Sequence, residues 1–324
     1  MTRQRSAVPS MPAPRPAPRR PGLVPTDVAE SLSAVLSTAV QAIRQHEQGS
    51  RAGGAIEHVH QMRVATRRIR AYLKAAAPAL ETGAANRLRT DLSGLAHALG
   101  RVRDLDVMMG RMHSEATVLG SPDTDALKRL IRRLDIDRQV ARTALIAELD
   151  DPGFTVMLAE LDAAIAEPPV ADPWADLTQL AGRQWDRLAR ARAVLVTKFG
   201  DDPPADDLHA LRILGKRARY SAELLGSDPK RRPPSAPRPA GRPAVQRFLV
   251  ALAEFQEVLG RHQDGCVLED RLREMVAADR GTDVDAALAA GRVIEGCRQR
   301  CAEARAAYPA AWAAVARRAG KAFG

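Results

Sequence analysis

The sequence predicts an all-α protein, on three observations. Ala and Leu dominate while aromatic residues make up only 3% of the chain, which suits closely packed helices better than sheets. Breaks rich in Gly, Pro and Asp are widely spaced, leaving segments of helical rather than strand length between them. A His/Arg-rich helical segment also occurs twice, with matching apolar faces. The hydrophobic share, 45% of 324 residues, is enough to bury one large core or two ordinary ones.

Residues 1–25 contain five Arg, no acid and many Pro, and are expected to be a disordered or polyproline-like tail. A first helix is expected from Asp27, with Glu30 as capping-box partner, to about Gln48, where "GSRAGG" breaks it. A second runs from about Ile56 to Leu80 with a kink at Pro78, and a third from about Ala84 to Ala116. "SPDTDA" supplies a break and an N-cap for a fourth helix reaching about Leu149. "DDPGF" starts a short fifth helix, and "EPPVADP" separates halves of about 26–167 and 173–320 within one domain of 26–320. Residues 227–243 form a second Pro/Arg-rich segment, expected to be a flexible loop.

Net charge is +10, but the tail carries +5 and residues 227–243 carry +4. The remainder is close to neutral, so a basic surface there has to arise from segregation of charge. Cys266, Cys297 and Cys301 give no disulfide framework. No secretory signal and no run approaching a membrane span is evident, so a cytoplasmic location is expected.

"VHQMRVATRRIR" at 59–70 matches "LHALRILGKRAR" at 208–219, an offset of 149. "LGRVRDLDV" at 99–107 matches "LGRHQDGCV" at 259–267, an offset of 160 shared by "DTDA"/"DVDA" and by Arg138-Gln139 with Arg298-Gln299. The 11-residue difference falls where the second Pro/Arg segment lies. Three blocks in one order imply duplication, with similar helical bundles about a pseudo-two-fold axis.

On a helix, His60, Arg63, Arg67, Arg70 and Lys74 fall within an arc of roughly 80°, and Val59, Met62, Ile69 and Leu73 occupy another face. His209, Arg212, Lys216 and Arg219 repeat the arc, and Leu208, Leu211, Leu214 and Ala218 repeat the apolar face. Cations at these spacings repel one another, so such a row stabilises nothing without an anion along it. Arg provides bidentate donors to phosphate and Lys a point charge. No aromatic residues alternate with them, which favours phosphate without bases. The plainer alternative is that the row is solvated or paired with neighbouring acids.

For His60 and His209 three roles compete: donor to an anion, metal ligand, or phosphorylated nucleophile. No metal-ligand spacing and no Gly-rich phosphate loop supports the last two, so donation is the simplest. Asp104 and Asp264, matched across the repeat, are expected to orient an Arg by salt bridge; a divalent ion held with the ligand is the alternative. Cys266 in place of Asp106 argues against a symmetric carboxylate site. Cys297 and Cys301, one helical turn apart, read as small core thiols. No cofactor, metal or catalytic residue is expected.

These residues resemble the conserved-histidine α-helical domain, or CHAD, family. The resemblance rests on "VHQMRVATRRIRAYL", "LGRVRDLDVM", "LHALRILGKRARYSAELL" and "LGRHQDGCVLEDRL", and extends over about residues 27–320. It implies two four-helix bundles with extra short helices and pseudo-two-fold symmetry. It also implies a basic groove that binds inorganic polyphosphate, and polyphosphate granules as a candidate location. Ligand roles then fall to His60, Arg63, Arg67, Arg68 and Arg70, and to His209, Arg212, Lys216, Arg217 and Arg219. Gln263 stands where the first half has Arg103, so the second half is expected to bind more weakly there. No upstream triphosphate-tunnel motif is present, so a stand-alone, non-catalytic binding module is expected. The alternatives are an enzyme that cleaves or transfers phosphate, and nucleic-acid binding. Contact with nucleic acid is expected only as weak, non-specific binding by the tail and the second Pro/Arg segment.

Overall fold

The structure, a computed structural model, describes residues 28–226, 242–278 and 283–323. The N-terminal tail, the proposed cap Asp27 and almost all of the second Pro/Arg segment lie outside the described residues. Arg242 and Pro243 open a helix.

The described residues form helices α1 (Val28–Ala52), α2 (Ile56–Ala76), α3 (Thr82–Val118), α4 (Asp123–Asp150), α5 (Pro152–Ala166), α6 (Leu177–Phe199), α7 (Ala205–Glu223), α8 (Arg242–Ala278) and α9 (Val284–Ala322). No strand occurs among them; Leu80 and Val170 make an isolated bridge that ties the connection between the halves to the turn after α2. The fold is thus all-α, as expected.

The end of α1, the cap of α4 and the end of α2 differ from the sequence reading. α1 runs through Gly49 to Ala52. Gly49 is helical and leaves room for the His58 ring, which a Cβ there would meet, and the chain turns instead at Gly53, whose φ is +73°. α4 starts at Asp123 without a side-chain cap; Thr124 Oγ1 instead donates to the Leu119 carbonyl, at 2.6 Å. The matched Asp283 does cap α9, accepting from the Ala286 amide at 2.9 Å. α2 ends at Ala76, and Pro78 lies in a 3-10 turn at Ala77–Ala79. α5 begins where Asp151 caps Gly153 ahead of Pro152, whereas in the second half α9 continues through Pro309.

Three apolar cores hold these helices. One joins α1, α2, the first part of α3, the end of α4, and α5 through residues such as Leu36, Ile69, Leu95, Leu145 and Leu161. A second joins α6, α7, the start of α8 and the end of α9 through Leu188, Leu211, Phe248, Phe255 and Tyr308. The third forms where the far ends of the α3–α4 and α8–α9 hairpins meet, around Met112, Leu127, Leu134, Leu272 and Val293. Each fully buried Leu contributes about 1.5–3 kcal/mol of transfer free energy. The matched Asp123 and Asp283 each pair with an Arg of the opposite hairpin, Arg292 and Arg129. The third core therefore locks the halves together at one end, and α2 meets α7 directly.

Candidate functional site

α2 buries Val59, Met62, Ile69 and Leu73, and α7 buries Leu208, Leu211 and Ala218. With these faces turned to the cores, the basic arcs approach each other where α2 and α7 meet. Arg63 and Arg67 of α2 and Arg212 and Lys216 of α7 form one electrostatic group. Burial lowers the pKa of Lys216 most, with Arg212, Arg67 and Arg63 pushing the same way, to about 7. Burial likewise lowers Arg212; Asp264 opposes this, and Arg67 and Arg63 add to it.

Two matched pairs of residues aim the guanidinium groups. Arg63 makes an ion pair with Asp104 at 2.9 Å and lies over Gly100 of α3, with Nε 3.9 Å from where a Cβ would stand. Arg212 lies over Gly260 of α8, with Nη2 at 3.5 Å and Nε at 3.7 Å from the corresponding point. Arg212 Nε is buried and has no hydrogen-bond acceptor among the described residues. A buried, unsatisfied donor costs on the order of 1–3 kcal/mol, more when charged, so this atom awaits an acceptor.

The supporting acids do not act alike. Asp104 holds a member of the basic row, whereas Asp264 accepts from Arg111 of α3 at 2.6 Å, a bond between the two halves. The histidines differ too. His60 stands beside Arg103: burial lowers its pKa most, then Arg103, with smaller effects from Arg67 and Arg63. His209 donates from Nδ1 to Gln263 Oε1 at 2.6 Å. The change from Arg103 to Gln263 thus replaces a repelling cation with an acceptor.

The remaining row residues spread outward. Arg68 lies off the arc and lines the groove between α1 and α2 with Val35, Thr38 and Tyr72. Arg70 is half-buried, with no hydrogen bond or ion pair among the described residues. Lys74 and Arg217 are exposed neighbours; the charge of Arg217, then burial and Arg89, lower the pKa of Lys74. Arg219 donates to Glu223 at 2.8 Å. Glu223 occupies the position matched to Lys74, so the second row ends in an acid. The sequence reading did not assign roles to Gly100, Gly260, Arg111 or Arg89; the signal for the glycines was their recurrence in the second repeat block.

Chemically the arrangement offers donors to an anion: guanidinium and ammonium groups converge, Arg212 Nε is unpartnered among the described residues, and the adjacent carboxylates pair with Arg63 and Arg111. A separate group, His262, Cys266 and Cys301, brings soft ligand atoms within 4.8 Å of one another. Pairing Cys297 with Cys301 along one helix overlooked it.

A family model for the CHAD domain matches residues 34–273. The chain belongs to the CHAD domain family. Among similar proteins are two uncharacterized proteins of Mycobacterium tuberculosis, MT2285 and Rv2226. Each is 26% identical to this CHAD chain over 261 residues, covering 78% of it and 47% of the relative. The chain thus spans about half the length of these curated relatives. The fold resembles that of PptA from Streptomyces chartreusis, with a TM-score of 0.68 and 20% identity over 88% of this chain and 98% of that one. It also resembles the crystal structure of the CHAD domain from the plant Ricinus communis, with a TM-score of 0.64 and 25% identity over 92% of this chain and 96% of that one. No helix among the described residues of the CHAD chain is long and apolar enough to cross a membrane.

Proposed function

We propose that this protein binds inorganic polyphosphate without cleaving it, at the basic site where α2 meets α7. The observation that carries this reading is the convergence of Arg63, Arg67, Arg212 and Lys216 from two matched helices, with Arg212 Nε buried and unpartnered. Like charges are held together here at a cost, and a chain of phosphates would offset it. A single phosphate would occupy only part of the site. The row on α2 spans roughly 20 Å from His60 to Lys74 at 1.5 Å per residue, and the Lys74–Arg217–Arg89 group offers a continuation. Membership of the CHAD family, through the resemblance described above, supports polyphosphate as the linear anion.

The pairing of Asp104 with Arg63 and of Asp264 with Arg111 supports binding without cleavage, because in-line phosphoryl transfer calls for a metal clamp or a positioned base. The protein would reside in the cytoplasm, with polyphosphate granules a natural location for such a module. Nucleic acid would be held only weakly, by the tail and the second Pro/Arg segment.

Calorimetric titration with long-chain polyphosphate tests the reading. Binding should weaken steeply as salt rises, through counterion release, and should be lost in the Arg63→Glu, Arg212→Glu double variant. Wild-type affinity in that variant would refute the site, and steady orthophosphate release with Mg²⁺ or Mn²⁺ would refute the non-catalytic assignment.

A further inference from the structure

We propose that His262, Cys266 and Cys301 form a binding site for a thiophilic metal ion, with Zn²⁺ the best match, that ties α8 to α9. His262 and Cys266 lie one helical turn apart on one face of α8, with Nδ1 and Sγ 3.8 Å apart. Cys301 reaches them from α9, and one ligand atom from each of the three residues lies within 4.8 Å of the others. Zinc binds sulfur at about 2.3 Å and nitrogen at about 2.0–2.1 Å, so tetrahedral ligand atoms stand roughly 3.5–3.8 Å apart. The group needs only small rotamer adjustments to reach that geometry. His262 is 2% exposed, and Cys266 and Cys301 are half-buried, so the site is partly screened from bulk water. Two sulfurs and one imidazole are a donor set that selects zinc or Cu(I) over Mg²⁺ or Ca²⁺. Three protein ligands leave a fourth position for water or an exchangeable group.

Two further observations separate this site from an ordinary buried thiol pair. Gly265 provides the space: a Cβ there would stand 2.5 Å from Cys301 Sγ and 3.3 Å from the Cys297 carbonyl oxygen. The duplication provides the comparison. At the offset of 160, the three ligands correspond to Val102, Asp106 and Ala141 of the first half. There Asp106 is buried in an ion pair with Arg138 at 2.6 Å. In the second half the matched Arg298 turns to Glu269, at 2.9 Å. An apolar and ionic arrangement in one half is thus exchanged at three positions together for soft metal ligands in the other.

The site's position gives it a consequence. Gln263 and Asp264 lie between His262 and Cys266 on α8, and they hold His209 and Arg111. A bound ion would fix that turn of α8 behind the basic site. The metal assignment does not depend on polyphosphate being the anion.

The test uses the full chain, reduced, stripped with chelator and titrated without oxygen, first with Co²⁺ as a spectroscopic probe and then with Zn²⁺. One equivalent of Co²⁺ should give thiolate-to-metal charge-transfer absorption, and Zn²⁺ should displace it stoichiometrically. Loss of an outer-shell partner costs 10–100-fold in metal affinity, so Cys266→Ser and Cys301→Ser should each weaken Zn²⁺ binding by at least about 100-fold. Gly265→Ala should also weaken it although no ligand is removed, and Cys297→Ser should leave it unchanged. Circular dichroism checks that the variants fold; if one does not, the wild-type charge-transfer band decides. No thiolate band in the folded wild type would overturn the proposal. So would equal Zn²⁺ affinity in Cys266→Ser and wild type, or a loss caused by Cys297→Ser.

Discussion

Arg212 of α7 rests on Gly260 of α8, its Nη2 3.5 Å from the point where a Cβ would begin, as Arg63 of α2 rests on Gly100 of α3. The matched glycines act as seats for the two matched guanidinium groups. A methyl group fits at either seat in ordinary van der Waals contact, and the further carbons of a branched side chain would reach toward the guanidinium.

Alanine at Gly100 or Gly260 should therefore leave polyphosphate affinity within about twofold. Each change should raise stability by up to about 1 kcal/mol, the helix-propensity difference between Gly and Ala. Gly100→Val should displace Arg63 and weaken binding several-fold while the protein still folds. Denaturant melts and calorimetry on the three variants separate seat from scaffold; unchanged binding in Gly100→Val would show that Arg63 is not held by this contact.

The two halves differ beside their histidines, Arg103 near His60 and Gln263 bonded to His209. Gln263→Arg would restore the first-half arrangement and add one cation to the site. Affinity for polyphosphate should rise several-fold at low salt. The slope of log affinity against log salt should steepen by about 0.7–0.9, the contribution of one further neutralised phosphate. Measuring affinity over a salt series checks both, and an unchanged slope would place Gln263 outside the ligand's path.

The helices, their apolar faces and the basic rows were legible in the sequence because they follow from periodicity, which is local. Val59, Met62, Ile69 and Leu73 are buried as the helical arc required. Which members of the rows meet was not legible, because it depends on how α2 crosses α7. That crossing is set by contacts such as Tyr72 against Tyr220, ring centroids 5.7 Å apart, between residues on separate helices far apart in sequence. Arg219 looked equivalent to Arg70, yet Glu223 one turn later neutralises it. The thiol group escaped notice because Cys301 reaches His262 and Cys266 across a hairpin rather than along one helix.

The Tyr72 hydroxyl donates to Glu223 at 2.6 Å, joining α2 to α7. Burial and the Glu223 charge raise the Tyr72 pKa, so the phenol stays protonated and the bond persists through alkaline pH. Tyr72→Phe removes the donor and keeps the ring contact with Tyr220. The acceptor is charged, so stability should fall by about 1.5–3 kcal/mol, partly offset because Arg219 still donates to Glu223. Urea unfolding measures the loss, and a change below about 0.5 kcal/mol would mean that this bond contributes little at the α2–α7 contact.

Lys216 gives the site a pH dependence whose sign can be worked out. Folding lowers its pKa from the ordinary 10.5 to about 7, through burial first and the charges of Arg212, Arg67 and Arg63 next. Between those values the unfolded chain holds a proton that the folded protein lacks, so this group makes stability rise with pH across the window. Below about pH 7 both states are protonated and the destabilisation is fully expressed. Phosphate oxygens reverse the balance: a bound polyanion favours the ammonium and raises the pKa again. Binding above pH 7 must then take up a proton, and affinity should fall as pH rises. Calorimetry in two buffers of different ionisation enthalpy would register the uptake directly. Lys216→Arg places a permanently charged group where the first half has Arg67, and should hold affinity nearly constant from pH 7 to 9 with no proton uptake. A variant that kept the wild-type pH profile would show that another group carries it, His60 first, since a bound polyanion would raise its lowered pKa in the same way.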